Sequence, residues 1–309
     1  MVNIYKINHK ALLKLKEIEP GCWISIQQPD ECDFTILSNI CELEPAVLDE
    51  IPDPDEMARV EVEEQYLLFV LRVPVKHQQQ DTVFQTVPLW IIFFKEQVVT
   101  VCTEELPYLF QVFSRSIKDF DTGDRVNLFV RIYLEILEYY QMYLRNINEI
   151  TQYTEKDLNV SIRKNIFMRI LQLEKSLVYF TTALKSNERV LYKLGHLNNR
   201  YHWDLDEDVN EQVQLEHNQA VEMTNIYSNI LSNMVNTFES VISNNLNSIM
   251  KRLTTISLVL MVPTFVASVY GMNVSLPLER HPLGFLFIML GAAVLTLGTF
   301  VFFKLRKYF

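Results

Sequence analysis

The chain has 309 residues, 49% of them hydrophobic and 21% charged, with a net charge of −10. That length allows roughly two domains. The acidic balance excludes nucleic acid as a partner, because phosphate neutralisation needs clustered Lys and Arg, and it favours cations instead. Cys22, Cys32, Cys41 and Cys102 form no C-x-x-C pair and have no histidine at ligand spacing, so reduced thiols are expected rather than a zinc site.

Met1 to Lys10 carries Lys6, His9 and Lys10 and no apolar core. It does not read as a signal peptide, so the chain is expected to begin in the cytoplasm. Residues 1–125 read as a cytoplasmic α/β domain. Gly21–Ile26, Arg59–Val62, Tyr66–Val73, Val83–Phe94 and Gln97–Cys102 are rich in β-branched and aromatic residues and predict strands. Asp30–Cys41 and Pro107–Lys118 predict helices. The phosphate-loop, dinucleotide and zinc-protease motifs are all missing. The scattered histidines (His9, His77, His196, His202, His217, His281) offer no catalytic dyad by spacing. Neither an enzyme nor an organic cofactor is expected.

Residues 126–252 read as a helical stalk. Phe129, Ile132, Ile136, Tyr139, Tyr143, Ile147 and Ile150 fall three or four apart. After a break near Asn159–Ser161, Ile166, Ile170, Leu173, Leu177, Phe180, Leu184, Leu191 and Leu194 do the same. Two antiparallel helices packed along these stripes are predicted, with Gly195 and the segment to Trp203 ending the second. Asp204, Asp206, Glu207 and Asp208 then open a third helix by capping. From Gly195 to Gly271 there is no further glycine, and the only proline is Pro263. A helix from about Val209 to Gly271 would be roughly 90 Å long.

Two uncharged runs close the chain, Leu253 to Leu278 and Pro282 to Phe303. Each exceeds the roughly 20 residues needed to cross a bilayer. The predicted spans are 253–273 and 282–303, joined by an external loop, 274–281, and followed by a basic tail, 304–309. The flanks Lys251, Arg252, Lys304, Arg306 and Lys307 place both termini on the cytoplasmic side of a cell (inner or plasma) membrane. Buried helices of a soluble protein are the competing reading. Gly284, Gly291 and Gly298 recur every seven residues and predict a smooth face for close packing. The fold class is α+β: an N-terminal α/β domain, a long helical stalk and two C-terminal transmembrane helices.

Steps of four and three from Asn236 give Asn236, Ser240, Ser243, Asn247, Met250, Thr254, Ser257, Met261, Thr264, Ser268 and Gly271. Each is polar, small or methionine. A 3.5-residue repeat keeps one seam on the axis of a helical bundle, and a dry seam would carry Leu, Ile or Val. Water along a pore explains hydroxyls and amides there; hydrogen bonds between helices are the alternative. Met250 and Met261 could form dewetting constrictions or fill irregular gaps.

Tyr270-Gly271-Met272-Asn273 stands at the outer end of the first span, followed by Val274-Ser275-Leu276-Pro277. With a second span close behind and a basic tail, it resembles the CorA magnesium-transporter family. Asn244, Asn247, Met250, Lys251, Leu253 and Thr254 are similar to the family's segment before the membrane. Glu222 to Ser228 resembles its long-helix signature. Tyr66-Leu67-Leu68 and Pro88-Leu89 resemble weaker patterns upstream. The resemblance implies a homopentamer in a lipid bilayer, moving Mg2+ down the membrane potential under control of intracellular Mg2+. It implies a selectivity filter of Tyr270, Gly271, Met272 and Asn273, a hydrophobic gate of Met250, Leu253 and Met261, and a basic collar of Lys304, Arg306 and Lys307. For a regulatory metal site only Asp204, Asp206, Glu207, Asp208 and Glu211 stand out, and helix capping explains them equally. Asn236 stands where family members often carry an acidic pore residue. The same architecture moving cobalt, nickel or zinc is the nearest alternative; a membrane-anchored scaffold or sensor is the alternative of another class.

Overall fold

The computed structural model describes residues 2–8, 11–41, 43–76, 82–94, 96–111, 122–158, 164–274, 276–277 and 281–306. The strands are β1 (Val2–Asn8), β2 (Ala11–Leu15), β3 (Trp23–Gln27), β4 (Arg59–Val62), β5 (Tyr66–Lys76), β6 (Phe84–Phe94) and β7 (Gln97–Cys102). The helices are α1 (Glu31–Cys41), α2 (Pro45–Glu50), α3 (Arg125–Leu158), α4 (Lys164–Tyr201), α5 (Glu207–Tyr270) and α6 (Gly284–Leu305). Contacts divide the chain into two compact units, Met1–Met234 and Val235–Phe309.

In the first unit the strands form one sheet in the order β2-β1-β3-β7-β6-β5-β4. All neighbours are antiparallel except β3 and β7, which pair with Trp23 opposite Val98. Successive side chains of a strand point to opposite faces, and helices cover both. One face joins Ile24, Ile26, Leu68, Val70, Trp90, Ile92, Val99 and Val101 to Leu37 of α1 and Val47 of α2. On the other, Phe69 meets Phe129 of α3, with ring centroids 4.9 Å apart. This double covering is why β5 and β6 read as near-continuous apolar runs.

The helices are also fastened to the sheet by hydrogen bonds at gaps in its ladder. The pairing of β4 with β5 stops at Arg59–Val70, which leaves the backbone N–H and C=O of Arg72 without a strand partner on that side. Asn187 of α4, fully buried, supplies both missing partners of the Arg72 backbone. Its Oδ1 accepts from the Arg72 N–H at 2.8 Å, and its Nδ2 donates to the Arg72 carbonyl at 2.8 Å. Tyr140 of α3 donates its hydroxyl to that carbonyl at 2.9 Å. The Arg72 guanidinium is itself buried and donates to the carbonyls of Pro54 (2.6 Å) and Glu56 (2.9 Å). Burial lowers its pKa, and the carbonyls hold the charge in place.

The strands expected at 21–26, 59–62, 66–73, 83–94 and 97–102 correspond to β3 to β7. The hairpin of β1 and β2 was not expected: it lies at the sheet edge, where Asn3 and Lys6 interrupt the apolar pattern. The helix α2 was also missed. The helix expected at Pro107–Lys118 is a 3-10 turn over Pro107–Gln111, and the remainder lies outside the described residues. Of the expected stop, the segment to Trp203 does end the helix but Gly195 does not, because α4 runs through it to Tyr201. A mid-helix glycine costs about 1 kcal/mol, and burial of Leu194 and Leu197 on either side offsets it. Cys22 and Cys102 are buried free thiols; burial pushes Cys102 up to about 12. The side chain of Cys41 lies outside the described residues.

In the second unit, α6 packs on the apolar stretch of α5. The covered positions of α5 are Thr255, Val259, Val262, Pro263, Val266 and Val269. On α6 they are Gly284, Ile288, Ala292, Thr296, Thr299 and Phe303. The expected glycine face is thus only partly used. Gly284 is buried, but a Cβ added at Gly291 or Gly298 would meet nothing within 4 Å.

Candidate ion pathway

Helix α5 begins where Asp206 accepts from the Val209 N–H at 3.2 Å and its backbone N–H donates to Asn127 Oδ1 at 2.9 Å. Asn127 Nδ2 also donates to the Asp204 carbonyl (2.8 Å) and to Asp124 Oδ2 (2.6 Å), joining the starts of α3 and α5. Spacing in sequence gave no signal for this junction. Asp206 lies 3.6 Å from Arg131 as well. Among the described residues, no three His, Cys, Asp or Glu side chains gather as a metal site. Asp204, Asp206, Glu207, Asp208 and Glu211 are therefore not assembled into a site by one chain alone.

Further along α5, Val213, His217, Ala220, Thr224, Leu231, Met234 and Phe238 are buried. His217 Nδ1 lies 2.9 Å from the Tyr133 hydroxyl. Burial lowers the His217 pKa, opposed by the Glu188 carboxylate. These positions repeat every seven residues. The same count resumes, in register, at Thr255, Val259, Val262, Val266 and Val269 beneath α6. One seam of α5 is covered within the chain.

The seam from Asn236 to Gly271 is another face. Every one of Asn236, Ser240, Ser243, Asn247, Met250, Thr254, Ser257, Met261, Thr264, Ser268 and Gly271 is exposed. At 3.5 residues per turn the two seams are separated by roughly 150° around the helix. Three hydroxyls of the exposed seam return their proton to their own backbone. Ser240 donates to the Asn236 carbonyl (3.0 Å), Ser257 to Leu253 (3.0 Å) and Thr264 to Leu260 (2.8 Å). What they present outward is oxygen lone pairs. Met250, Leu253 and Met261, the expected gate, are 57%, 57% and 61% exposed. Met261 also lines an apolar groove of about 450 Å³ with Leu258, Phe265 and Leu295, so it packs at an edge of the seam.

The α5 helix ends at the tetrapeptide. The Gly271 N–H donates to the Ala267 and Ser268 carbonyls at 3.0 and 3.2 Å, and the Met272 N–H to Val269 at 3.3 Å. The Tyr270 hydroxyl reaches the Pro277 carbonyl at 3.4 Å. Gly271, Met272 and Asn273 are exposed. A Cβ on Gly271 would make only ordinary contacts, 3.4 Å from the Ala267 carbonyl. Nothing within one chain demands glycine there. At the far end of α6, Lys304 and Arg306 are exposed, with the Arg306 guanidinium 5.8 Å from the Phe302 ring centre; Lys307 lies outside the described residues.

Both α5 and α6 contain a stretch long and apolar enough to cross a membrane, and only 6% of each stretch is buried. Core helices of a soluble protein would be mostly buried, so that alternative does not fit. A sheet domain, a helix running from it into an apolar stretch, and a second exposed apolar helix define a membrane protein of the two-span transporter class. A family model described as CorA-like Mg2+ transporter protein matches residues 19–307. The chain belongs to that family, a family of divalent-cation transporters rather than enzymes.

A relative from Methanocaldococcus jannaschii named cobalt/magnesium transport protein CorA is 26% identical over 273 residues, 86% of this chain and 84% of its own. The complete structure of the CorA magnesium transporter from Methanocaldococcus jannaschii superposes with a TM-score of 0.83 at 23% identity, over 100% of this chain and 99% of that one. The full-length CmaX protein follows with a TM-score of 0.70 at 15% identity, over 98% and 97%. At those identities the solved structures establish the shared α+β fold.

Proposed function

We propose that several copies of this chain, five by family resemblance, surround one pore with their α5 helices and carry Mg2+ inward down the membrane potential. The observation that carries this reading is the exposed seam of Asn236 to Gly271, opposite the face that the chain covers for itself. An apolar face could meet lipid, but a file of amides and hydroxyls needs water or polar partners. The inner-negative potential would supply about 4.6 kcal/mol per 100 mV for a divalent ion.

The outer filter is a ring of Asn273 amides with Tyr270, Gly271 and Met272 shaping it. Magnesium sheds its waters reluctantly, and neutral amides hydrogen-bond a hydrated ion while letting it leave. Further in, Ser257 and Thr264 offer acceptor oxygens to the hydrogens of those waters. Met250, Leu253 and Met261 narrow the pore, and tightening of the bundle dewets it. Lys304, Arg306 and Lys307 form the collar at the inner membrane edge, with both termini in the cytoplasm.

Closure responds to intracellular Mg2+. As no carboxylate cluster forms among the described residues of one chain, such a metal would be shared between neighbouring copies, Asp204 to Glu211 supplying candidates. Cobalt is the second cargo, favoured by the name of the Methanocaldococcus relative. The test is Mg2+ uptake into liposomes carrying Asn273→Ala. Selectivity and rate should both change, and uptake equal to wild type overturns the filter assignment.

A further inference from the structure

The apolar groove between α5 and α6 is confined to one end of the helix pair. It runs from Leu258 to Val266 on α5 and from Leu295 to Phe303 on α6, about 450 Å³ in all. Each run is roughly 12 Å long at 1.5 Å per residue, close to half of a hydrocarbon core of about 30 Å. Its one hydroxyl, on Thr299, donates to the Leu295 carbonyl at 2.8 Å, so the walls offer no free donor. The polar boundary at the Leu258–Phe303 end is basic. Lys251 stands seven residues before Leu258 and Arg306 three after Phe303, so each continues the groove's own face of its helix. Both are exposed, with Arg252 and Lys304 beside them. The Arg306 guanidinium lies 5.8 Å from the centre of the Phe302 ring, itself exposed. From Val235 onward the only side-chain carboxylates are Glu239 and Glu279. Glu239 stands roughly 18 Å along α5 from Lys251, and Glu279 falls between the two spans, so neither neutralises this basic end.

We infer that this groove holds one acyl tail of an anionic phospholipid, with the phosphate between Lys251 and Arg306. The length selects a tail. A neighbouring transmembrane helix needs a contact along about 20 residues, whereas this groove stops near mid-membrane. The charge selects the headgroup, because basic residues at a membrane surface attract anionic lipid. Long Lys and Arg side chains lay their stems on apolar surface while the charged head reaches the interface, which joins the groove to the phosphate. The site depends on the two helices crossing a bilayer, not on conduction along the seam.

The experiment is native mass spectrometry of the delipidated full chain in detergent, titrated with dioleoylphosphatidylglycerol or dioleoylphosphatidylcholine. Wild type should bind one anionic lipid per chain about tenfold or more tighter than the zwitterionic one, two basic residues each contributing about fivefold. Lys251→Gln/Arg306→Gln should cut that preference below about twofold and leave phosphatidylcholine binding unchanged. Leu295→Trp, which fills the groove, should bind neither lipid at this site. Equal affinity for the two lipids in wild type overturns the inference, as does a preference kept by the double variant. If Leu295→Trp changes the oligomeric mass while lipid binding stays at the wild-type level, a second copy covers the groove and the inference falls. If Leu295→Trp does not fold, the double variant, altered only at exposed positions, still decides.

Discussion

The Asn187 clamp gives the sharpest test of how the helices are held to the sheet. Replacing Asn187 with Leu keeps the volume close to native but removes both bonds to the Arg72 backbone, each 2.8 Å. The Arg72 carbonyl keeps its bond from Tyr140 at 2.9 Å. The Arg72 N–H is left buried with no acceptor, since the pairing of β4 with β5 has ended at Arg59–Val70. An orphaned buried donor costs about 1–3 kcal/mol and a lost bond about 1 kcal/mol, so the prediction is about 3 kcal/mol. Tyr140→Phe removes one of two donors to the same carbonyl and should cost about 1 kcal/mol. In the double variant the carbonyl loses both, so the two costs should couple by at least about 0.5 kcal/mol. For a domain of this size, 1 kcal/mol moves the melting temperature by about 2–4 °C. Thermal unfolding in detergent should show a drop of about 6–12 °C for Asn187→Leu, and more than the sum of the single drops for the pair. A shift under about 2 °C, or strict additivity, would refute the clamp.

Two further predictions concern the pathway and the stalk. Gly271→Ala should leave melting within about 1 °C of wild type, because its Cβ meets only ordinary contacts within the chain, yet Mg2+ flux should fall at least several-fold; unchanged flux would show that no neighbouring copy approaches there. Burial lowers the His217 pKa, so the folded state holds the imidazole neutral and the unfolded chain binds the extra proton first. Its contribution is therefore present above the unfolded value of about 6.5 and is lost as pH falls through the depressed folded value. Thermal melts between pH 7.5 and 5 should drop less in His217→Gln than in wild type, and equal drops would contradict the assignment.

The chain's legibility follows the strength of its periodicity. The 3.5-residue alternation on α5 was readable because polar residues at one heptad register stand out inside an apolar stretch. The central strands were readable because both of their faces are covered, which removes polar residues from them. The β1–β2 hairpin failed for the opposite reason, since residues 2–6 of β1 are only half-buried and tolerate Asn3 and Lys6. Gly195 misled because composition marks it as a breaker, while the packing of Leu194 and Leu197 decides the helix. The junction through Asn127, the His217–Tyr133 pair and the Asn187 clamp could not be read, because each joins residues distant in sequence and leaves no periodic trace. The glycine heptad was only half right. Its period is real, but α6 meets α5 along Gly284, Ile288, Ala292, Thr296, Thr299 and Phe303, a 3.6-residue stripe that passes through only one of the glycines.

The distribution of polar groups along the exposed seam carries a consequence for conduction. Within the apolar stretch the seam offers Thr254, Ser257, Met261, Thr264 and Ser268, and its back-bonded hydroxyls have already spent their donor on the helix. Such groups cost little when dry and bind water only through lone pairs. The side-chain amides stand outside that stretch, Asn236 and Asn247 before Lys251 and Asn273 after Tyr270, and among the described residues none of the three has a partner within the chain. An amide with two donors and an acceptor left bare is costly in any dry contact, so the ends of the seam demand water far more than its middle does. A hydrated ion would then meet strong hydrogen-bonding rings at each end and weakly interacting walls between them. That profile lets an ion enter and leave without a deep well midway, and it makes the wetting of the middle, where Met261 sits, the step most easily switched.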